Sequence, residues 1–453
     1  MSILLNTLNS LIETELARFK THCHFYVAFS GGLDSQVLLD LCAKSAFHSR
    51  ITAVYVNHGL QQQADDWQQH CTESAAQYQL KFLALSVDAT PKQGESPEEA
   101  ARNARYQALK SLLAVDDVLL VAQHREDQLE TVLLQLFRGA GLSGLSGMAK
   151  QAEFGKGWLS RPLLDCPKQA IVDYAQQQHL QWIEDPSNQE VCFDRNFLRQ
   201  TIIPQLKQRW SAIDVTVSRS AQHCWQAQDF INTLSPALYQ QVFDSSQQAL
   251  SIEHLLAYEN YQQRLIIRYW FQQYALKMPS SEFINRIFTE VINARIDAQP
   301  QLYSQGYFIR RYQGFLFLVK DSPINLQQVF TNLQEDKPLS LANNGYLHLS
   351  KTEAIGISQQ YWQNSTVTVA YRQGGERLRL VGREGHHSLK KLYQQAKIPT
   401  WQRDKIPLIF LDGQLAAVAD LWISADFYQT SSQSNYRLLW QKPKDHDETA
   451  NVD

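Results

Sequence analysis

The sequence predicts an α/β protein that begins with a doubly wound parallel sheet. Over the first 215 residues, polar segments with helical spacing separate four short runs rich in Val, Ile, Phe, Leu and Tyr, which lie at 24–29, 51–56, 81–87 and 117–122. Near-continuous apolar strands that alternate with helices are typical of a parallel sheet covered on both faces. Such short runs cannot be told from buried helix by periodicity alone, so the regular alternation decides the assignment.

Beyond residue 215 the pattern changes twice. Residues 216–330 have helical spacing, many glutamines and a predicted hairpin at 306–320, whereas strand-like pieces dominate the later part. We therefore predict four segments, which are a catalytic domain at 1–215, a mostly helical middle domain at 216–330, a small α+β domain at 340–440 and a polar tail at 441–453.

The composition excludes several classes of protein. No apolar run reaches the roughly 18 residues that a membrane span needs, and the N-terminal segment lacks the charged end and apolar core of a signal peptide. The six cysteines are scattered and form no C-x-x-C pair, which predicts reduced thiols in a cytoplasmic protein. With a formal net charge of −3, any nucleic-acid surface must be local. The sequence allows a homodimer but predicts no oligomeric state.

The segment after the first apolar run has the composition of a phosphate-binding loop. It reads SGGLDS and joins a predicted strand to a predicted helix. Glycine lets the backbone approach a ligand closely, and a helix start exposes N–H groups with partial positive charge. We therefore predict that ATP is bound by Ser30, Gly31, Gly32, Leu33, Asp34 and Ser35.

Asp34 is the unusual member of this loop. A carboxylate repels phosphates unless a cation intervenes, so Asp34 predicts an Mg²⁺ ion shared with the nucleotide. No lysine follows the glycines, so the loop is not of the G-x-x-x-x-G-K-[ST] kind. The alternative is an ordinary strand–helix turn with a capping serine.

A second polar segment, at 122–148, follows the fourth apolar run. If a helix begins at Asp127, an apolar face is formed by Leu129, Val132, Leu133, Leu136 and Phe137, and Asp127, Glu130 and Thr131 lie near the opposite side. The carboxyl ends of parallel strands share one edge of a sheet, so this segment should face the SGGLDS loop. The alternative is a solvated helix start, where carboxylates are favoured anyway.

Together these segments resemble the bacterial tRNA(Ile)-lysidine synthetases of the ATP pyrophosphatase, or PP-loop, superfamily. The loop matches the superfamily's SGGxDS motif. The family's HxxDQxET segment, RGxGxxGLxGM segment, histidine–glycine pair and RN-x-x-R segment have counterparts here. One departure is Glu126, which stands where the family often has an aspartate. The matching residues include His58, Arg102, Arg105, His124, Asp127, Gln128, Glu130, Thr131, Arg195, Asn196 and Arg199.

Residues 374–410 resemble the same family's C-terminal module, with Thr400 and Lys405 replacing a proline and an arginine. This window carries many basic residues in a mildly acidic chain, and we call them the basic stripe: Arg377, Arg379, Arg383, Lys390, Lys391, Lys397, Arg403 and Lys405. Without the resemblance, a solvated surface would explain them. With it, contact with tRNA phosphates is the better interpretation.

The resemblance implies a two-step reaction on an isoleucine tRNA whose anticodon is CAU. ATP adenylates the C2 oxygen of the wobble cytidine, and the ε-amine of free L-lysine then displaces AMP to give lysidine. The base must leave the anticodon stack to reach ATP. A nearby carboxylate or imidazole must take the proton of the amine.

The resemblance also implies residue roles. The catalytic residues are Asp34, His124, Asp127 and Glu130, with the division of roles among the last three left open. The ATP site adds His58 and Arg102 to the loop, and Asp34 is the metal ligand. The tRNA contacts are Arg195, Arg199, Arg377, Arg379, Lys390, Lys391 and Arg403.

Three other functions remain open from the sequence. A tRNA 2-thiolation enzyme of the same superfamily typically carries catalytic or cluster-binding cysteines, often as C-x-x-C. A metabolic synthetase or amidotransferase usually brings a glutaminase domain or a different downstream segment. A catalytically silent nucleotide-binding RNA protein is disfavoured by the intact SGGLDS and DQLET segments.

Overall fold

The structure is a computed structural model of the 453-residue chain. It forms two compact units, Met1–Thr233 and Leu234–Asp453, which are taken separately below. The described residues are 2–57, 64–88, 90, 97–186, 190–295, 297–331, 333–430 and 434–443.

The first unit is built on a six-stranded sheet with the strand order β3-β2-β1-β4-β6-β5. All neighbours are parallel except the β5–β6 pair at the edge. The strands are β1 (Phe25–Ala28), β2 (Ile51–Asn57), β3 (Lys81–Ser86), β4 (Val118–Leu120), β5 (Gln151–Phe154) and β6 (Gly157–Ser160). All four predicted strands are confirmed, and with them the α/β class.

Helices cover both faces of this sheet because successive strand residues point to opposite sides. In β1, Phe25 and Val27 belong to one hydrophobic core, whereas Tyr26 and Ala28 pack against another. The first core includes α1, α2, α3 and α7, and the second includes α4. The helices are α1 (Ser2–Leu16), α2 (Leu33–Ala43), α3 (Ala64–Gln77), α4 (Pro97–Leu112), α5 (Arg125–Phe137), α6 (Leu142–Leu145) and α7 (Lys168–Gln177), with a 3₁₀ turn at His48–Arg50.

The last part of the first unit is a helical segment that packs against α5. It consists of α8 (Asp194–Phe197), a π-helical turn (Leu198–Ile202) and α9 (Ile203–Arg209), and α10 (Ile213–Val242) follows it across the boundary between the units. Leu198 and Ile203 form a small core with Leu129 of α5.

The structure corrects the predicted start and apolar face of α5. The helix begins at Arg125 instead of Asp127, with His124 as its N-cap. Leu129 and Val132 are buried, but Leu136 and Phe137 are exposed. The small core that α5 forms with Leu198 and Ile203 reaches only as far as Leu134 along the helix. Leu136 and Phe137 lie beyond it and are not part of this core.

The second unit has two hydrophobic cores, and the earlier one mixes helices with a sheet. Its helical parts are Ile252–Leu256, Asn260–Gln273, Ser281–Arg286 and the π-helical turn Ile287–Ile292. Its five-stranded sheet runs in the order Phe243–Asp244, Ala249–Ser251, Phe315–Lys320, Tyr307–Tyr312 and Gln301–Ser304. The hairpin predicted at 306–320 is confirmed, because the strands Tyr307–Tyr312 and Phe315–Lys320 pair antiparallel.

The later core carries three sheets and short helices. One sheet has the order Leu339–Ser340, Tyr346–Thr352, Asn435–Gln441, Gly356–Ser358 and Tyr428–Gln429, and another has Val367–Ala370, Leu408–Leu411, Gln414–Val418 and Trp422–Ile423. The third pairs Arg377–Leu378 with His387–Ser388. Helical turns occupy Ala342–Asn344, Gln359–Gln363, Leu389–Gln395 and Thr400–Arg403.

The three-domain layout stays a prediction beside these two units. Gln441, the first residue of the predicted tail, ends a strand, and residues 444–453 lie outside the described part of the chain. Among the helices that the structure describes, none combines the length and apolar character needed to cross a bilayer.

Candidate active site

The SGGLDS loop joins β1 to α2 in a conformation that requires glycine. Gly31 has a φ of +79°, and a Cβ there would lie 2.7 Å from Cδ1 of Ile183. The Ile183 N–H also donates to the Gly31 carbonyl at 2.9 Å. A side chain at Gly31 would be strained in its backbone and would displace this neighbour, so the loop can follow this path only with glycine.

Hydroxyl contacts fix the rest of the loop. The Ser30 N–H donates to Oγ of Ser35 at 3.2 Å, and Ser35 Oγ donates to the Gly32 carbonyl at 2.9 Å. Leu33 packs against the core beneath the loop. Because α2 begins at Leu33 with Gly32 as its N-cap, the first N–H groups of the helix have no intrahelical partners and can bind an anion.

A cavity of about 400 Å³ opens beside this loop. Ser30, Gly32, Asp34 and Ser35 are among its lining residues. The other lining residues include the apolar or aromatic side chains Val54, Val56, Trp67, Tyr106, Leu109 and Val121. A space lined by both hydrogen-bond donors and apolar side chains suits a nucleotide.

The loop and the start of α5 meet at the carboxyl ends of β1 and β4, as the sequence predicts. These neighbouring strands lie where the strand order reverses direction, which is the usual ligand site of such sheets. His124 Nε2 lies 3.7 Å from Oδ2 of Asp34 and 3.4 Å from Oδ2 of Asp127. We call Asp34, Glu126, Asp127 and Glu130 the acidic cluster.

His124 is surrounded by three of these carboxylates and is only 3% exposed. Its Nδ1 lies 3.5 Å from Glu126. Burial opposes its protonation, but hydrogen bonds and charge from Asp34, Glu126 and Asp127 outweigh burial and raise the pKa of His124 to about 9. The raised pKa favours the imidazolium form of His124 at neutral pH.

Asp34 is paired with two cations. Its Oδ1 accepts from Nζ of Lys168 at 2.5 Å, and His124 approaches its other oxygen. Burial opposes ionisation of Asp34, but the hydrogen bond from His124 and the charge of Lys168 together keep its pKa below the usual value. The carboxylate therefore stays charged beside the anion-binding loop.

Glu130 is buried and is held by two arginines. Arg195 Nε donates to its Oε2 at 2.9 Å, and Arg199 Nε donates to its Oε1 at 2.6 Å. Arg199 also reaches Asp127 at 3.0 Å, and Arg195 reaches Thr131 at 2.9 Å. Burial opposes the charged form of Arg199, but the hydrogen bond and the negative charge of Glu130 raise the pKa of Arg199 above its usual value. The predicted tRNA contacts Arg195 and Arg199 thus point into the acidic cluster.

Glu126 completes the cluster and was not among the predicted site residues. It accepts from Nζ of Lys207 at 2.9 Å and from the backbone N–H of Lys168 at 2.8 Å. Burial would raise its pKa, but His124 and Lys207 lower it well below the usual value. Its departure from the family's aspartate therefore keeps a charged partner for His124.

Two other predicted ATP residues are less well placed. Arg102 is exposed, with its guanidinium 5.4 Å from the ring centroid of Tyr106, whereas Arg105, one turn later, lines the cavity. Arg102 stays a prediction, and so does His58, which lies outside the described residues.

The basic stripe lies in the second unit, and its members differ in exposure. Lys390 and Lys391 are exposed on the helix Leu389–Gln395. Arg377 donates to the His386 carbonyl, and Arg379 pairs with Asp426, although both stay exposed.

Arg403 is a correction to the predicted tRNA contacts. It is only 7% exposed, and it donates to the Ile398 carbonyl at 2.8 Å and to the Tyr312 hydroxyl at 3.2 Å. A buried guanidinium whose donors bind the protein itself supports the fold of this unit and is not available to phosphates.

A magnesium ion would find one suitable ligand at this site. Within the described residues, no group of three or more His, Cys, Asp or Glu side chains could hold a metal ion. Mg²⁺ in nucleotide enzymes typically uses one or two carboxylates plus phosphate oxygens and waters. Asp34, ionised and one-third exposed beside the loop, fits that requirement, whereas the carboxylates of Glu126 and Glu130 are less exposed.

The loop, the strand order and the cavity define a class, which is that of PP-loop ATP-using proteins. In agreement, residues 4–206 match the family model of the PP-loop domain. The second unit contains matches to the TilS substrate binding domain at 250–317 and the TilS substrate C-terminal domain at 367–440.

Known proteins with similar sequences span nearly the whole chain. A tRNA(Ile)-lysidine synthase of Methylococcus capsulatus is 40% identical over 92% of this chain and 96% of its own. One from Serratia proteamaculans is 38% identical over 96% and 99%, and one from Proteus mirabilis is 37% identical over 95% and 98%. The chain belongs to the tRNA(Ile)-lysidine synthase family, so the predicted ligase class is confirmed over tRNA thiolation.

Among solved structures, the U34-tRNA thiolase NcsA from Methanococcus maripaludis is similar to 49% of this chain and 80% of its own, with 16% identity and a TM-score of 0.41. A likeness at this level decides nothing about function.

Proposed function

We propose that this protein ligates free L-lysine to C2 of the wobble cytidine in the CAU anticodon of isoleucine tRNA, with ATP as the activating substrate. The observation that carries the proposal is the meeting of the SGGLDS loop and the acidic cluster beside one cavity in a chain of this family. The loop suits ATP, and the cluster suits a substrate that carries both an amine and a carboxylate.

The loop and the cavity lining define the orientation that we infer for ATP. The phosphates lie against the loop and the start of α2, where N–H groups and the positive end of the helix favour anions. The adenosine then lies toward the apolar wall, which includes Tyr106 and Val121. Mg²⁺, held by Asp34 and phosphate oxygens, would add positive charge to the triphosphate.

Adenylation comes first, and the cytidine oxygen attacks the α-phosphate. Charge develops on the departing pyrophosphate, and preorganised donors stabilise it most when they are already in place. The N–H groups at the start of α2 are such donors, and the buried His124, 3.7 Å from Asp34, holds that carboxylate beside them.

The acidic cluster then binds the second substrate. Asp127 attracts the ε-ammonium group of lysine, and Glu130 holds Arg195 and Arg199, which suit its α-carboxylate. Because His124 is already protonated, the proton of the ε-amine passes to a carboxylate. Asp127 is the better acceptor, since it borders the cavity whereas Glu130 is buried.

The tRNA makes its phosphate contacts partly through the second unit. Lys390, Lys391, Arg377 and Arg379 of the basic stripe are exposed and suit a phosphate backbone. We place the reaction in the cytoplasm, where ATP, lysine and tRNA occur together. The possible homodimer stays a prediction.

The test is direct assay of the product. Purified protein is incubated with ATP, lysine and total tRNA, and the tRNA nucleosides are then analysed by mass spectrometry. Lysidine should appear only when all three substrates are present. Formation of a thiolated nucleoside, or of no new nucleoside, would reject the proposal.

A further inference from the structure

The SGGLDS loop has no lysine of its own, but the folded chain supplies one. Lys168, which is 134 residues beyond Asp34, places its Nζ 2.5 Å from the Asp34 carboxylate. Both side chains are about one-third exposed, so neither is sealed in the core. Asp34 lines the cavity beside the loop, and Lys168 meets the cavity through this carboxylate.

The backbone fixes the position of Lys168. It is the first residue of α7, and its N–H donates to Oε2 of Glu126 at 2.8 Å. Glu126 is itself held by Lys207 and lies close to His124. The base of the Lys168 side chain is therefore anchored, while its flexible end reaches the loop.

A comparison with Lys44 separates this pair from an ordinary ion pair. Lys44 lies at the other end of α2 and binds Asp40 at 2.8 Å. Asp40 is only 2% exposed, and the hydroxyls of Tyr78 and Tyr174 also donate to it. Asp40 is thus fully enclosed by protein donors, whereas Asp34 lines the cavity and its lysine is about one-third exposed.

The charge of Lys168 matters for binding the triphosphate of ATP beside Asp34. An ionised carboxylate next to a phosphate-binding loop repels the triphosphate, and a mobile ammonium group beside it offsets that repulsion. An ammonium group has three donors, so it can bind Asp34 and a phosphate oxygen together.

We propose that Lys168 is a further catalytic residue, which binds the β- and γ-phosphates of ATP and stabilises the departing pyrophosphate. The inference rests on the adenylation step proposed above. In that step the cytidine oxygen forms a bond to the α-phosphorus, and the bond from that phosphorus to the bridging oxygen breaks. The electron pair of the broken bond stays on the pyrophosphate, to which Lys168 donates hydrogen bonds.

The experiment compares Lys168→Met and Lys168→Arg with the wild-type protein and with Lys44→Met as the matched control. Pyrophosphate release is followed with ATP, lysine and tRNA present, and inhibition by added pyrophosphate is measured for each protein. Lys168→Met should lower kcat by about 10²-fold, as expected for loss of one preorganised donor. It should also weaken pyrophosphate inhibition by at least about tenfold. Lys168→Arg should retain part of both, and Lys44→Met should match wild type.

The outcomes are separable. If wild-type protein makes lysidine but Lys168→Met keeps its kcat and its inhibition by pyrophosphate, the inference is overturned and the proposed function stands. If wild-type protein releases no pyrophosphate, the proposed function fails and the inference falls with it. If Lys168→Met has a lower Tm than Lys44→Met, the same comparison is made with Lys168→Gln. A merely structural role for Lys168 would lower the Tm without changing inhibition by pyrophosphate.

Discussion

The acidic cluster of the first unit and the basic stripe of the second use charge in opposite ways. Each carboxylate of the cluster lies within 4 Å of a cation, and Glu130 is only 1% exposed. In the stripe, Lys390 and Lys391 are exposed and form no ion pair with any residue that the structure describes. Charges in the cluster are arranged before a ligand arrives, whereas charges in the stripe are free to meet one.

This difference predicts different consequences of mutation. Removing one charge from an enclosed network leaves its partner uncompensated and changes both stability and chemistry. Removing an exposed charge weakens a long-range attraction that salt already screens. Substitutions in the cluster should therefore have large effects on single steps, and substitutions in the stripe should have small effects on binding.

The largest effect is expected at Asp34. Asp34→Asn removes the charge that binds Lys168 and His124, and with it the predicted metal ligand, so pyrophosphate release should fall by more than about 10²-fold. Circular dichroism should show an unchanged fold. Asp40→Asn on the same helix is the control, since it removes a buried carboxylate outside the site. Release by Asp34→Asn at the wild-type rate would mean that Asp34 has no part in adenylation.

Glu130 should affect the second step more than the first. Glu130→Gln removes the charge that holds Arg195 and Arg199, so lysine transfer should slow by about 10²-fold while adenylation slows much less. Rapid-quench assays that separate adenylated tRNA from lysidine measure the two rates.

Glu15→Gln is the matched control for loss of a buried ion pair. Glu15 is also 1% exposed and binds two cations, Lys150 and Arg18, outside the cluster. Both variants should lose stability, but only Glu130→Gln should lose lysine transfer. Equal slowing of both steps in Glu130→Gln would contradict the proposed division of roles.

His124 should give the protein a pH-dependent stability. Its pKa is about 9 in the folded chain, above the ordinary value of 6.5. The stabilisation is fully present below about pH 6.5 and is lost as the pH rises through about 9, with a total of roughly 3 kcal/mol. The free energy of unfolding of wild-type protein should therefore fall over this range by more than that of His124→Gln. Parallel curves would show that His124 is not protonated in the folded state.

The smallest effect is expected in the basic stripe. Replacing Lys390 and Lys391 by alanine should weaken tRNA binding at moderate salt and flatten the log–log salt dependence by about 0.7 to 0.9 per phosphate contact removed. Pyrophosphate release at saturating tRNA should be unchanged. Filter binding across several salt concentrations measures the slope.

Lys351→Ala is the control for a lysine outside the stripe. Lys351 is exposed but pairs with Glu335, so its removal should leave the slope unchanged. Superimposable lines for wild-type and the double variant would remove Lys390 and Lys391 from the tRNA contacts.

Local sequence was enough to predict the loop and its strands. The run of apolar residues before Ser30 and the helical spacing after Asp34 are properties of neighbouring residues. The two glycines of the loop indicate a backbone conformation that other residues rarely adopt. The position of the site at the carboxyl ends of β1 and β4 could also be predicted, because parallel strands place their carboxyl ends on one edge of the sheet.

The partners of the charged residues could not be predicted in the same way. Periodicity shows that Arg195, Arg199 and Lys168 are polar positions on helices, and a solvated surface would give the same pattern. Their contacts with Glu130 and Asp34 depend on how α7 and the 190s segment pack against α2 and α5. Arg403 failed for the same reason, because only the packed second unit shows that it is buried.

The sequence by itself determined the α/β class, the ATP loop and the family, since each depends on residue types at short, fixed spacing. The tertiary structure alone decided that carboxylates surround His124 and raise its pKa, that Glu130 is enclosed by arginines and that Lys168 reaches Asp34. The physical reason is that protonation and pairing depend on burial and on distances of a few ångströms. Those distances join residues as far as 134 positions apart in the chain.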